Sequence, residues 1–182
     1  MTFAAVLDTC VLYPAHLRDA LLRLAERGLY RPLWSADIIA ELHRNLLEVV
    51  GPAAVDRLLR EMTTAFPDAE VTGHRVLIDG LTCDPKDRHV LAAAVRANAG
   101  AIVTFNTTDF PDDSVEEFEI EVIDPDAFLL DLLDLALGAV IDELSQQAAA
   151  NRRAPRTFPQ LLDALERAGA PAFADEVRRR TS

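Results

Sequence analysis

Residues 3–7, Phe-Ala-Ala-Val-Leu, form a continuous apolar run that stops at Asp8, the pattern of a buried strand. Residues 101–105 are a second such run, and 119–123 alternate as a third strand. Leu33-Trp34 is a short apolar step, and Glu70-Val71 predicts a brief strand. Between these segments the apolar positions recur at helical spacing. Leu17, Leu21, Leu22, Leu24 and Ala25 predict a helix over about 16–27, closed by Gly28. Ser35 is a good N-cap for a helix running to about Val50. Gly51-Pro52 breaks it, and 53–66 forms another. Asp84-Pro85 opens a helix through about Asn98, ended by Gly100. Strands alternating with helices, without hairpin signals, predict an α/β fold around a parallel sheet. After Asp124 the chain reads as helical over 124–150, then as a Pro- and Arg-bearing linker at 151–155, then as short helices at 158–168 and 172–180.

At 182 residues the chain has room for one compact domain and a modest appendage. Its charge is uneven. Residues 1–150 carry 26 Asp/Glu against 11 Lys/Arg, a balance of −15, whereas 151–182 carry 4 against 7, a balance of +3. An acidic body argues against nucleic-acid binding by general electrostatics, which needs basic surface to displace counterions. The same surplus suits divalent cations, although acidic surface also serves solubility. The two cysteines make no disulfide framework, which fits a reducing cytoplasm. The first residues show no basic region ahead of a long apolar run, so neither a signal peptide nor a membrane span is expected.

Several acids fall where chemistry can use them. In open parallel sheets, ligands bind beyond the carboxyl ends of the strands. Asp8 follows the first strand, and Asn106 and Asp109 follow the run that ends at Phe105. The plain alternative is that Asp and Asn serve as local turn and cap residues there. Ile38, Ile39, Leu42, Leu46, Val49 and Val50 make one helical stripe, with Glu41 roughly 60° outside its edge, on a core-boundary flank or toward a cleft. Asp84-Pro85-Lys86-Asp87 reads as a cap, a first-turn proline and an acid three residues on. On that helix Asp87 falls between Val90, Leu91 and Ala94, on the apolar face, where an unpaired carboxylate is costly without a cation. Asp84 is therefore read as the cap and Asp87 as the functional group. Oxygen ligands of this kind suit Mg²⁺ and Mn²⁺. The four histidines are scattered, and neither a zinc spacing, a phosphate loop nor a nucleophile elbow occurs.

Taken together, these pieces resemble the PIN-domain family, in particular VapC-type toxins of bacterial toxin–antitoxin pairs. The matching segments are Val6-Leu7-Asp8-Thr9-Cys10-Val11-Leu12, residues 35–42 around Glu41, residues 84–94 around Asp87, residues 102–110 through Asn106 and Asp109, and Val122-Ile123-Asp124-Pro125-Asp126-Ala127-Phe128-Leu129. The resemblance covers about residues 3–130 and implies a three-layer α/β/α domain at 1–130 with a helical extension at 131–182, packed on or projecting from it. It implies a metal-dependent endoribonuclease leaving a 5′-phosphate and a 3′-hydroxyl. Asp8, Glu41, Asp87 and Asp109 become the metal-binding and catalytic acids, with Asn106 and Thr104 in support and one or two Mg²⁺ or Mn²⁺ ions as cofactor. Two positions depart from the common pattern. Asn106 stands where many members have an acid, and Cys10 where many have Asn or Ser. The implied partners are RNA, a small antitoxin protein and a second copy of the chain, the last through the apolar stretch 128–137. Arg88, Arg152, Arg153 and Arg156 are candidate RNA contacts, as are Arg178, Arg179 and Arg180. The competing readings are a catalytically weak PIN-like binding module and a haloacid-dehalogenase-type phosphatase. The phosphatase wants a second acid where Cys10 stands.

Overall fold

In the computed structural model, which describes residues 3–182, the chain runs β1 (Ala4–Leu7), α1 (Thr9–Leu12), α2 (Ala15–Glu26), β2 (Arg31–Ser35), α3 (Ala36–Val50), α4 (Pro52–Ala65) and β3 (Glu70–Val71). It continues with α5 (Arg88–Ala97), β4 (Ala101–Val103), α6 (Asp112–Val115), β5 (Glu121–Ile123), α7 (Pro125–Leu135), α8 (Leu137–Ala150), α9 (Phe158–Arg167) and α10 (Pro171–Thr181). The expectation that no leader begins at Met1 and Thr2 lies outside the described residues. No helix among those residues is long and apolar enough to cross a membrane.

The contacts group the chain into two compact units. The first comprises Met1–Tyr13 and Tyr30–Ile123, the second Pro14–Leu29 and Asp124–Ser182. The grouping sets α2 with the C-terminal helices, although it lies far from them in sequence. Five parallel strands in the order β3-β2-β1-β4-β5 form the sheet of the first unit, the α/β architecture expected from the chain's alternation. Every residue of β1 is buried, as a strand flanked on both edges requires.

One strand was not foreseen. Leu33-Trp34 is the centre of β2, which holds Pro32 although it lies inside the sheet. Proline is normally excluded from such a place because it lacks an N–H. Here the Arg31 N–H donates toward β1, to the Phe3 carbonyl at 2.7 Å, and the Trp34 N–H donates the other way, to the Ala69 carbonyl at 3.0 Å. Alternation therefore points Pro32 to the same side as Trp34, short of the two-residue β3, where no partner is waiting.

Ser35 caps α3 as expected, its Oγ accepting from the Ile38 N–H at 3.2 Å. Ser35 is fully buried, so Ser35→Ala leaves that N–H without a partner. The substitution is expected to cost about 1 kcal/mol, seen as a lower denaturant midpoint at unchanged slope. An unchanged midpoint would remove this cap from the account of α3.

In the second unit, α7 packs on α8 and α10, and α8 packs on α2 and α9. The expected single helix over 124–150 is interrupted at Ala136, whose backbone leaves the helical region (φ −151°, ψ 59°). Each half then buries its own apolar side chains, Leu132 and Leu133 in α7, Val140 and Leu144 in α8. The stretch 128–137 is consequently not a free face for a second subunit. Phe128, Leu129, Leu132 and Leu133 are spent within the unit, and the large exposed residues of the stretch are Leu135 and Leu137. Asp126 accepts the Ala172 and Phe173 N–H groups at 3.0 and 2.7 Å, closing the start of α10 with a favourable negative charge.

Candidate active site

The strand order reverses between β1 and β4, the place where open α/β sheets leave a crevice at the carboxyl ends of their strands. Leu7 pairs with Val103, so Asp8 and Thr104 emerge side by side at that rim. The Asp8 N–H donates to the Val103 carbonyl at 3.1 Å, and the Thr104 N–H donates to the Ile123 carbonyl at 3.0 Å, which fixes both chain exits.

Asp8 is buried and held by short hydrogen bonds. Its Oδ1 accepts the Thr9 N–H at 2.7 Å, and its Oδ2 accepts the Thr104 hydroxyl at 2.7 Å. The Thr104 oxygen in turn accepts the Asn106 N–H at 3.1 Å, so one buried hydroxyl orients the first acid and the loop after β4. Cys10 Sγ lies 3.3 Å from both Asp8 Oδ2 and Thr104 Oγ1 and accepts the Phe105 N–H at 3.3 Å. Burial, with the nearby Asp8 charge, pushes the Cys10 thiol up to about 11, so it stays an S–H donor. Cys10 thus supports the first aspartate in place of the more usual polar side chain, and is more than a small apolar filler.

The approach to Asp87 differs from the expected capping box. The segment from Asp84 to Asp87 is a turn and not the first turn of a helix. The Lys86 N–H donates to Asp84 Oδ1 at 3.1 Å and the Asp87 N–H to the Asp84 carbonyl at 2.9 Å. The helix α5 starts only at Arg88, and Asp87 stands at its N-cap position while its side chain caps nothing. Asp84 satisfies the turn locally, which leaves the Asp87 carboxylate without that duty. Asp87 is 8 % exposed, and its Oδ2 is buried without a hydrogen-bond partner. Loss of water, then the charge of Asp8 and to a smaller extent Asp109, raises the Asp87 carboxyl to about 7, while Lys86 lowers it.

Asp109 reaches the same cluster from the 3₁₀ turn after β4 (Thr107–Asp109). Its carbonyl accepts the Asp84 N–H at 3.1 Å, tying the two acid-bearing loops together. Lys86 Nζ lies 3.1 Å from Asp109 Oδ2 and 3.8 Å from Asp87 Oδ2. Glu41 projects from α3 into a cleft of about 540 Å³ that it shares with Asp87, Asn106, Lys86 and Arg44. The His89 Nε2 lies 3.7 Å from the Glu41 carboxylate. The Thr9 hydroxyl donates to the Ile38 carbonyl at 3.2 Å, so the segment that carries Asp8 is tied to the helix that carries Glu41.

By type, these donors fit a hard divalent cation, and the orphaned oxygen of Asp87 is the specific vacancy such an ion would satisfy. Among the described residues no three His, Cys, Asp or Glu side chains converge tightly enough to ligate an ion as they stand.

The expected RNA contacts fare differently. Arg88 Nε donates to the Cys83 carbonyl at 3.2 Å, a structural duty beside the cluster. Arg152, Arg153 and Arg156 are exposed, belong to the second unit and make no ion pair among the described residues. Arg178, Arg179 and Arg180 are not a free phosphate surface. Arg178 pairs with Asp163, Glu166 and Asp175, Arg179 with Glu176, and Arg180 with Glu176 and Asp134. Sequence reasoning missed Lys86. It also missed the cleft-wall pair in which Asp37 accepts from Arg75, with the buried His74 Nε2 2.7 Å from Asp37 behind it. The only available signal for Lys86 was its place in Asp84-Pro85-Lys86-Asp87, next to an acid already singled out.

A PIN-domain family model matches residues 4–108, more than half of the chain and every acid of the cluster except Asp109. The chain belongs to the PIN-domain family. A second family model, the VapC50 C-terminal domain, matches residues 125–179, the stretch that holds the four terminal helices. It is 43 % identical over 118 residues to a protein named "Putative ribonuclease VapC50" from Mycobacterium tuberculosis (strain ATCC 25618 / H37Rv), covering 65 % of this chain and 67 % of that one. No solved structure gives a significant match.

Proposed function

We propose that this PIN-domain protein is a cytoplasmic metal-dependent endoribonuclease, the toxin of a toxin–antitoxin pair. The reading rests above all on Asp87, a buried carboxylate with an unpartnered oxygen, set beside Asp8 and Asp109 at the switch point of the sheet. Family membership and the ribonuclease name of the VapC50 relative support the same chemistry.

Asp8 and Asp87 would be the principal holders of Mg²⁺ or Mn²⁺, with Glu41 and Asp109 as the further acids of the site, Asp109 paired with Lys86. A bound ion supplies charge stabilisation at the phosphate and makes water a stronger nucleophile at neutral pH. The chain's own contribution is placement. Thr104 and Cys10 fix the Asp8 carboxylate, Asp84 takes over the turn so that Asp87 keeps a free oxygen, and Asn106 stands on the cleft wall as a hydrogen-bonding neighbour for substrate. Glu41, half-exposed on the opposite wall, is suited to orient the attacking water. Arg44 on that wall makes no ion pair among the described residues and joins Arg152, Arg153 and Arg156 as a candidate phosphate contact. Catalysis is assigned to residues 1–130, with 131–182 as an accessory extension. A small antitoxin protein would restrain the nuclease by covering the cleft.

Purified protein incubated with RNA and Mn²⁺ is expected to cleave it, EDTA to stop the reaction, and Asp8→Asn to lower the rate by about a hundredfold or more. Cleavage that persists in EDTA, or at the wild-type rate in the variant, would overturn the assignment.

A further inference from the structure

We propose that Lys86 is a resident cation of the active site, its ammonium standing where a second divalent ion would otherwise sit, so that each chain binds one metal ion and not two. The inference rests on the metal-nuclease reading and goes beyond it by assigning the stoichiometry and the residue that sets it.

Three observations carry it. First, the Lys86 ammonium lies 3.1 Å from Asp109 and 3.8 Å from Asp87, so Asp109 already has a cation at hydrogen-bond distance. Second, Asn106, which shares the cleft with Lys86 and Asp87, is neutral and adds no negative charge beside Asp109. A second divalent ion beside Asp109 would meet one committed carboxylate, one amide and a fixed positive charge. Third, Lys86 is the only lysine of a chain with seventeen arginines. A compact ammonium with three rotatable donors can sit between carboxylates from two loops, where a planar guanidinium would impose its own fork geometry. Its backbone is fixed as well, because Lys86 lies inside the turn closed by Asp84. Of the other cations nearby, Arg75 is engaged with Asp37 and Arg88 with the Cys83 carbonyl, while Arg44 lines the cleft without an ion pair to Asp109 or Asp87 among the described residues. Asp8 and Asp87 remain as the principal holders of the single ion, the Asp87 Oδ2 facing Lys86 at 3.8 Å but accepting no hydrogen bond.

The test is the number of Mn²⁺ ions bound per full-length chain, read by calorimetry and by the spin-resonance signal of free Mn²⁺. Wild-type protein is expected to bind one. Lys86→Met, at an exposed position that tolerates the change, is expected to bind a second, and Lys86→Met with Asp109→Asn is expected to return to one. Lys86→Arg keeps a positive charge and is expected to stay at one. Two ions in the wild type, or a single ion in a folded Lys86→Met protein, would overturn the role of Lys86 and leave the nuclease reading intact. No bound ion in the wild type would overturn both.

Discussion

Asp87→Asn is expected to abolish most RNA cleavage, by about a hundredfold or more, and at the same time to make the metal-free protein more stable above neutral pH. Both effects come from one carboxylate. In the unfolded chain it titrates near 3.9, and in the folded chain burial and the Asp8 charge lift it to about 7. Between those values the folded state holds a proton that the unfolded state has lost. Stability therefore falls as pH rises through that window, and above about 7 the full cost of an ionised, crowded carboxylate is borne. Asparagine carries no charge and escapes the cost. Because the cleft admits water, the gain is on the order of 1 kcal/mol, or a few degrees in melting temperature at about pH 8 in EDTA. Added Mn²⁺ should stabilise the wild type and leave the variant nearly unmoved, since only the wild type gains a ligand for its folded state. A variant that cleaves normally, or melts lower than the wild type in EDTA, would contradict this account of Asp87.

Thr104→Val is expected to lower both cleavage rate and Mn²⁺ affinity by about 10- to 100-fold, the usual consequence of losing a group that orients a metal ligand. The hydroxyl is fully buried, donates to Asp8 at 2.7 Å and accepts the Asn106 N–H at 3.1 Å. Valine matches its shape and removes both bonds, so Asp8 Oδ2 is held only by the weaker Cys10 thiol and a backbone donor loses its partner. The accompanying loss of stability is about 1–3 kcal/mol. Thr104→Ser keeps the hydroxyl and should retain most of the activity, which separates loss of the hydroxyl from general damage to the core. Wild-type kinetics in the valine variant would show that Asp8 needs no such support.

Much of the fold was legible because burial writes itself into local pattern. The apolar runs at 3–7 and 101–105 became β1 and β4, and the helical spacing over 16–27 became α2. Failures came where long-range contacts overrode a local rule. Leu33-Trp34 is too short an apolar step to mark a strand by pattern, yet it is the centre of β2, where the missing donor of Pro32 faces a side that β3 does not reach. The Asp84-Pro85 signal argued for a helix start, but a turn held by Asp84 delays α5 to Arg88. The apolar stretch at 128–137 looked free only because the helices that cover it, α8 and α10, lie later in the chain.

The site divides along the same line. The sequence by itself determined the residue types and the positions of Asp8, Asn106 and Asp109 just beyond buried strands. These are properties of short windows, and hydrophobic periodicity is enough to read them. What only the tertiary structure decided is which acids meet. The order β3-β2-β1-β4-β5 sets Asp8 beside Thr104 across 96 positions of chain, and no local pattern encodes strand order. It also decided the fate of the cations. Arg178, Arg179 and Arg180 are drawn into carboxylates of their own unit, while Lys86 turns into the acid cluster, because ion pairing depends on proximity in space that the chain's charge balance does not record.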